Sequence, residues 1–148
     1  MNIHEELIAL TCQLRVAGVE YALAGGLAVA VWGAPRYTAD IDLLILESDL
    51  GRAKQIAGSL GFDLAADPMD FSDGTRIRRV TKLVGSEALT LDLMLVTPNA
   101  GAWMDRVEVP IGETPLTVVS REALIRMKVS AGRQQDLLDV AKLRELDR

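Results

Sequence analysis

An aspartate inside an otherwise apolar strand is costly unless something compensates its charge. This chain places such an acid, with a second two residues away, shortly after a pair of glycines. Residues 23–45 read LAGGLAVAVWGAPRYTADIDLLI. Gly25 and Gly26 open a short segment of small apolar residues that ends at Gly33-Ala34-Pro35, and a buried strand begins at Asp40. Strand side chains alternate between faces, so Asp40 and Asp42 point the same way, roughly 7 Å apart at the backbone. Two carboxylates on one face beside a glycine-rich turn suit Mg²⁺ or Mn²⁺ held against a nucleoside triphosphate. The glycines have a plain reading as a tight strand-to-helix turn. In the functional reading the same lack of side chains admits phosphate oxygens to the N–H groups of the helix that follows. The feature points to phosphoryl or nucleotidyl transfer.

Further residues gather around it. Asp92 stands amid Thr90-Leu91-Asp92-Leu93-Met94, again a charge in a core strand. It is either salt-bridged to an arginine or a third acid that completes a metal site and orients or deprotonates an acceptor hydroxyl. Arg36 and Thr38 precede the Asp40–Asp42 pair, and Arg36 is placed to neutralise triphosphate charge. Lys128, Arg133 and Asp136 lie near a junction of two helices. Lys128 and Asp136 are candidates for phosphate and base contact, against the alternative of a charged helix surface with an Arg133–Asp136 pair. Arg76, Arg78, Arg79 and Lys82 make a basic stripe, read either as strand-edge solubility or as a surface for a polynucleotide backbone.

The rest of the chain sets the frame. Helical spacing of apolar residues spans 3–17. Strands are expected over 19–24, 40–46, 62–64, 76–84 and 89–96, the 76–84 segment as an edge or half-exposed strand. Ser48 is expected to cap a helix running to residue 60, and 65–75 reads as loop. Residues 107–111 and 116–119 form a hairpin, and two helices cover 121–131 and 134–146. This order predicts an α/β (α+β) domain with a small mixed β-sheet flanked by helices. A single domain is expected over 1–148, with its core at about 19–119 and C-terminal helices at about 120–146. The lone Cys12 excludes an internal disulfide and a cysteine-rich metal site. The lone His4 excludes Ser-His-Asp, Cys-His and zinc-hydrolase chemistry. A net charge of −5 argues against wrapping of nucleic acid by the whole surface. No membrane-spanning run and no signal peptide is visible, so a cytoplasmic location is expected. Oligomeric state is left open.

Taken together, the chain resembles the nucleotidyltransferase (DNA polymerase β-like) superfamily. Its pattern is a Gly-Gly or Gly-Ser, then Asp-x-Asp, then a later acid on a neighbouring strand. Within it the chain most resembles the AbiEii-type abortive-infection and type IV toxin–antitoxin group, through AGGLAVAVWGAPRYTADIDLLI and the tail LIRMKVSAGRQQDLLDVAKL. The resemblance implies a nucleotidyltransferase fold, with Asp40, Asp42 and Asp92 as catalytic metal ligands and Gly25 and Gly26 as the triphosphate turn. Arg36, Thr38, Lys128 and Asp136 would be nucleotide- or acceptor-side residues. It also implies in-line attack of an acceptor hydroxyl on the α-phosphate of the triphosphate, a tRNA acceptor, a toxin-like role and a cognate antitoxin. Alternatives are a protein or aminoglycoside-like acceptor, or a binding partner that holds nucleotide without turnover.

Overall fold

The computed structural model describes residues 1–146. Helix α1 (Ile3–Val16) starts where the Asn2 side chain accepts hydrogen bonds from the His4 and Glu5 amides, and it buries Leu7, Leu10 and Leu14 at helical spacing. The chain then runs through strand β1 (Ala22–Ala24), helix α2 (Gly25–Val31) and strand β2 (Asp40–Leu46). A 3₁₀ turn (Glu47–Asp49) leads into helix α3 (Leu50–Ser59), followed by strands β3 (Phe62–Ala65), β4 (Met69–Asp70), β5 (Arg76–Val84) and β6 (Glu87–Val96). Helix α4 (Gly101–Met104), strands β7 (Arg106–Ile111) and β8 (Thr114–Val119), and helices α5 (Arg121–Ala131) and α6 (Gln134–Glu145) complete it.

The strands form one sheet in the order β3-β5-β6-β2-β1-β8-β7, with β4 also pairing to β5. β2 runs parallel to β6 and β1 parallel to β8, and the other pairings are antiparallel. The expected mixed sheet with flanking helices is therefore present. The middle strands carry the apolar core: Ile41, Leu43 and Ile45 of β2 and Leu91 and Leu93 of β6 are buried. The opposite face of β2 presents Asp40 and Asp42, both half-buried.

Local boundaries differ from the sequence reading where hydrogen bonding, not hydrophobicity, decides. Val19 and Tyr21 are buried, yet the β1 ladder holds only Ala22–Ala24. Residues Glu47–Asp49 close a 3₁₀ turn, so α3 starts at Leu50 and Ser48 does not cap it. Part of the expected 65–75 loop pairs as β4. β5 is an interior strand, covered on one side by β6 and on the other by β3 and β4. No helix among the described residues is long and apolar enough to cross a membrane.

Candidate active site

The sheet register brings the three acids together. Asp42 stands opposite Ala24 of β1 on one side and opposite Asp92 of β6 on the other. Asp92 in turn stands opposite Arg79 of β5. Directly opposed residues of neighbouring strands face the same way. One row thus runs across four strands, from the end of β1, where the glycine turn begins, through Asp42 and Asp92 to Arg79.

The turn is fitted to Asp42. Gly25 has φ of 66°, the left-handed region, and a β-carbon there would lie 2.7 Å from Asp42 Cγ. Only glycine at this position lets the start of α2 rest against the carboxylate. Gly26 is packed from the other side, where a β-carbon would sit 3.1 Å from both Arg36 Nη2 and Thr38 Oγ1. The Thr38 hydroxyl accepts from the Asp40 amide at 3.4 Å. The segment 36–40 and the glycine turn therefore hold one another.

The acids are treated unequally by their surroundings. Asp92 is buried and takes both arms of Arg79, Nε to Oδ1 at 2.8 Å and Nη2 to Oδ2 at 3.0 Å. The carboxylates of Asp40 and Asp42 accept no hydrogen bond or ion pair from any described residue. Burial, then the charges of Asp92 and Asp40, push Asp42 up to about 7, against the opposing pull of Lys128 and Arg133. Among the described residues no three acid, histidine or cysteine groups close together as a ready metal cage, and Asp92 is engaged by Arg79. The donor set still fits a hard divalent cation. It is made of oxygens only, and Asp42 is a carboxylate whose ionisation its neighbours resist and a cation would favour.

Behind the acids lies a buried ionic cluster. Lys128 of α5 reaches Asp136 at 3.2 Å and Asp139 at 2.9 Å, and all three side chains are buried. Arg36 forks onto Asp139 at 2.9 and 3.0 Å, and Gln135 adds a further donor at 2.9 Å. Burial would raise Asp139, but the hydrogen bonds from Arg36, Lys128 and Gln135 win and hold it at about 2. For Asp136 too, burial is overcome by Arg133 and Lys128, and its carboxyl lies below the usual range. Both sequence readings of this region hold in part. The Arg133–Asp136 pair exists, at 2.7 Å, and Asp136 is also the buried partner of Lys128. Arg36, Lys128 and Asp136 are thus tied into the protein's own ion pairs at one edge of the acid site.

Asp139 is the residue that sequence reasoning missed. In Gln134–Glu145 the buried positions are Asp136, Asp139, Val140 and Leu143, whereas Leu137 and Leu138 are half exposed. The i, i+3, i+4, i+7 spacing of the buried set was available. It was hidden because two of its members are acids and the adjacent leucines mark the wrong face.

The basic stripe is not an open surface. Arg76 pairs with Glu47 and Asp70, Arg78 with Asp70, Arg79 with Asp92 and Lys82 with Glu6.

No protein-family model matches the chain, and no curated protein matches it by sequence. Solved structures do match it in shape. A lincosamide antibiotic adenylyltransferase, LnuA, solved with lincomycin bound, superposes with a TM-score of 0.69 at 16% identity, covering 95% of each chain. TM1012, a putative nucleotidyltransferase from Thermotoga maritima, gives 0.69 at 14% identity over 99% of this chain and 94% of its own. The antibiotic-resistance factor ANT(2″)-Ia gives 0.66 at 16% identity over 97% and 84%. At these identities the likeness establishes the fold, and the fold is that of the nucleotidyltransferases.

Proposed function

We propose that this protein is a metal-dependent nucleotidyltransferase that moves a nucleoside monophosphate from a nucleoside triphosphate to an acceptor hydroxyl. The observation that carries the reading is Asp42: a half-buried carboxylate without a protein partner, flanked by Asp40 and Asp92 and pressed against a glycine turn with no room for a β-carbon. The nucleotidyltransferase shape of the whole chain supports it.

In this reading Asp40 and Asp42 hold Mg²⁺ or Mn²⁺, which when bound neutralises the triphosphate and activates its α-phosphorus. Gly25 and Gly26 leave the phosphates space to approach. Lys128 and Arg133 place positive charge toward Asp42, and Arg36 and Thr38 fix the segment that carries the acids. Asp92 orients the acceptor from within its pair with Arg79. The acceptor oxygen bonds to the α-phosphorus as its proton passes to the Asp92 carboxylate and on to solvent, the bond from the α-phosphorus to the bridging oxygen breaks, and pyrophosphate leaves with that electron pair. The acceptor we favour is a tRNA, in a toxin-like role checked by a cognate antitoxin. The Arg-x-Thr-x-Asp-x-Asp and Lys…Arg…Asp patterns of the sequence support that choice.

The test is incubation with each α-³²P-labelled triphosphate, Mg²⁺ and total tRNA or cell lysate. Label in the RNA pool that disappears in Asp42→Asn is the expected result, and absence of label from every pool would sink the proposal. A small-molecule acceptor is the second reading, motivated by the antibiotic-modifying neighbours. Drug resistance on overexpression would favour it.

A further inference from the structure

Two adjacent rungs of the sheet cross the site, and their two ends differ in chemistry. In the first, Asp40 of β2 stands beside Thr90 of β6, which stands beside Thr81 of β5. In the second, Asp42 stands beside Asp92, which stands beside Arg79. All six side chains share one face. The β2 end is acidic. β5, about 10 Å away at two strand spacings, carries the Arg79 guanidinium and the Thr81 hydroxyl, and the Thr90 hydroxyl stands on β6 between them and the acids.

That second end has unused hydrogen-bonding capacity. Arg79 spends Nε and Nη2 on Asp92, while its Nη1 donates to no described residue. The half-buried hydroxyls of Thr81 and Thr90 likewise make no hydrogen bond among the described residues. The Arg79 side chain is 41% exposed against 10% for Asp92, so the arginine covers the acid and itself stays open to solvent. Arg76, Arg78 and Lys82 do not share this position. They alternate onto the other face of β5 and are engaged by Glu47, Asp70 and Glu6. A free guanidinium edge beside two free hydroxyls, facing the same way, is a receptor for a tetrahedral oxyanion.

We propose that the β5–β6 shelf is the acceptor half of the site, and that Arg79, with Thr81 and Thr90, selects a hydroxyl compound carrying a phosphate group near the hydroxyl that is nucleotidylated. The assignment rests on the nucleotidyltransferase reading for the fate of the hydroxyl, but phosphate binding at Arg79 can be measured apart from it. The shelf is poorly suited to a polycation, because Arg79 occupies both oxygens of Asp92 and neutralises it, leaving no free carboxylate there. The phosphate belongs either to a small phosphorylated alcohol or to an RNA backbone.

The decisive measurement follows the Arg79 Nε–Hε resonance of ¹⁵N-arginine-labelled protein, assigned by its loss in Arg79→Lys. Glycerol 3-phosphate is titrated in one arm and a short RNA with a free 3′ end in another, with kanamycin as the cationic comparison. A saturable shift with glycerol 3-phosphate assigns the small phosphorylated alcohol, and a shift with RNA alone assigns the polynucleotide. Thr81→Ala combined with Thr90→Ala leaves the Arg79–Asp92 pair intact and should weaken the response about tenfold. No shift with either phosphate compound, or a larger one with kanamycin, overturns the proposal. Donor binding is scored separately, with Mg²⁺ and a non-hydrolysable ATP analogue. Failure of that binding would remove the nucleotidyltransferase reading and leave the phosphate shelf standing or falling on its own titration.

Discussion

Arg36 and Asp139, 103 residues apart, are joined by two hydrogen bonds of 2.9 and 3.0 Å. The pair ties the segment that introduces Asp40 to the last helix of the chain. Asp139→Ala would leave Arg36 without its carboxylate and Lys128 with only Asp136. The expected loss of stability is about 3–5 kcal/mol, the cost typical of stripping one partner from a buried ionic cluster. Urea denaturation measures it. Affinity for the Mg²⁺–nucleotide complex should fall as well, because Arg36 and Thr38 pack against Gly26.

Asp42 should cost the protein stability at neutral pH. Its folded value of about 7 lies above the ordinary 3.8, so the folded state holds the proton more tightly than the unfolded one. This penalty is absent below about pH 4, grows as pH rises towards 7, and is constant above that. Asp42→Asn should therefore be inactive yet more stable than the parent at pH 8, with little difference at pH 4. Chemical denaturation of both proteins across this range checks the sign. A variant less stable at pH 8 would contradict the electrostatic account.

A divalent cation should act in the opposite direction. Binding favours the ionised carboxylate, so Mg²⁺ with a non-hydrolysable triphosphate should raise Tm more at pH 8 than at pH 6. The same addition should leave Asp42→Asn unmoved at either pH. Thermal scans of the two proteins with and without the metal suffice.

Two glycines make a paired test of geometry. Gly25→Ala meets both a positive φ and the Asp42 side chain. It should lose transfer activity and at least about 1–2 kcal/mol of stability. Gly58 lies inside α3 with open space where a β-carbon would go. Gly58→Ala should gain about 0.5–1 kcal/mol and leave activity unchanged. Denaturation and a transfer assay on both separate a site effect from a general one.

The Asp40–Asp42 side of the candidate site was legible because its signals are local. A glycine pair followed by Asp-Ile-Asp at strand spacing places Asp40 and Asp42 on one face without knowledge of the rest of the sheet, and Asp92 stood out as a charge among core residues. What stayed hidden depended on pairing between distant segments. Nothing local says that β5 lies inside the sheet, so Arg79 read as one of four stripe cations and not as the partner of Asp92. Asp139 was masked by Leu137 and Leu138, which advertise a buried face that the fold turns outward. Lys128 and Asp136 were noticed, but whether they contact a ligand or each other is decided by how α5 and α6 pack. The strand and helix boundaries that shifted are those set by ladder registry and a 3₁₀ turn, which apolar spacing does not report.

The acid row has a consequence for how such a protein comes into being. Asp42, Asp92 and Arg79 meet only because β2, β6 and β5 pair in one register. Sliding β2 or β6 by a single residue would swap its acids for its core set and send the carboxylates to the opposite face, and sliding β5 would take Arg79 away from Asp92. No half-built version of the site exists along that coordinate: a misregistered or partly zipped chain has its acids dispersed and its leucines exposed. On the proposed function, ion affinity would arise in a single step with the closing of the central strands, and a chain still being made or being unravelled would carry no such site.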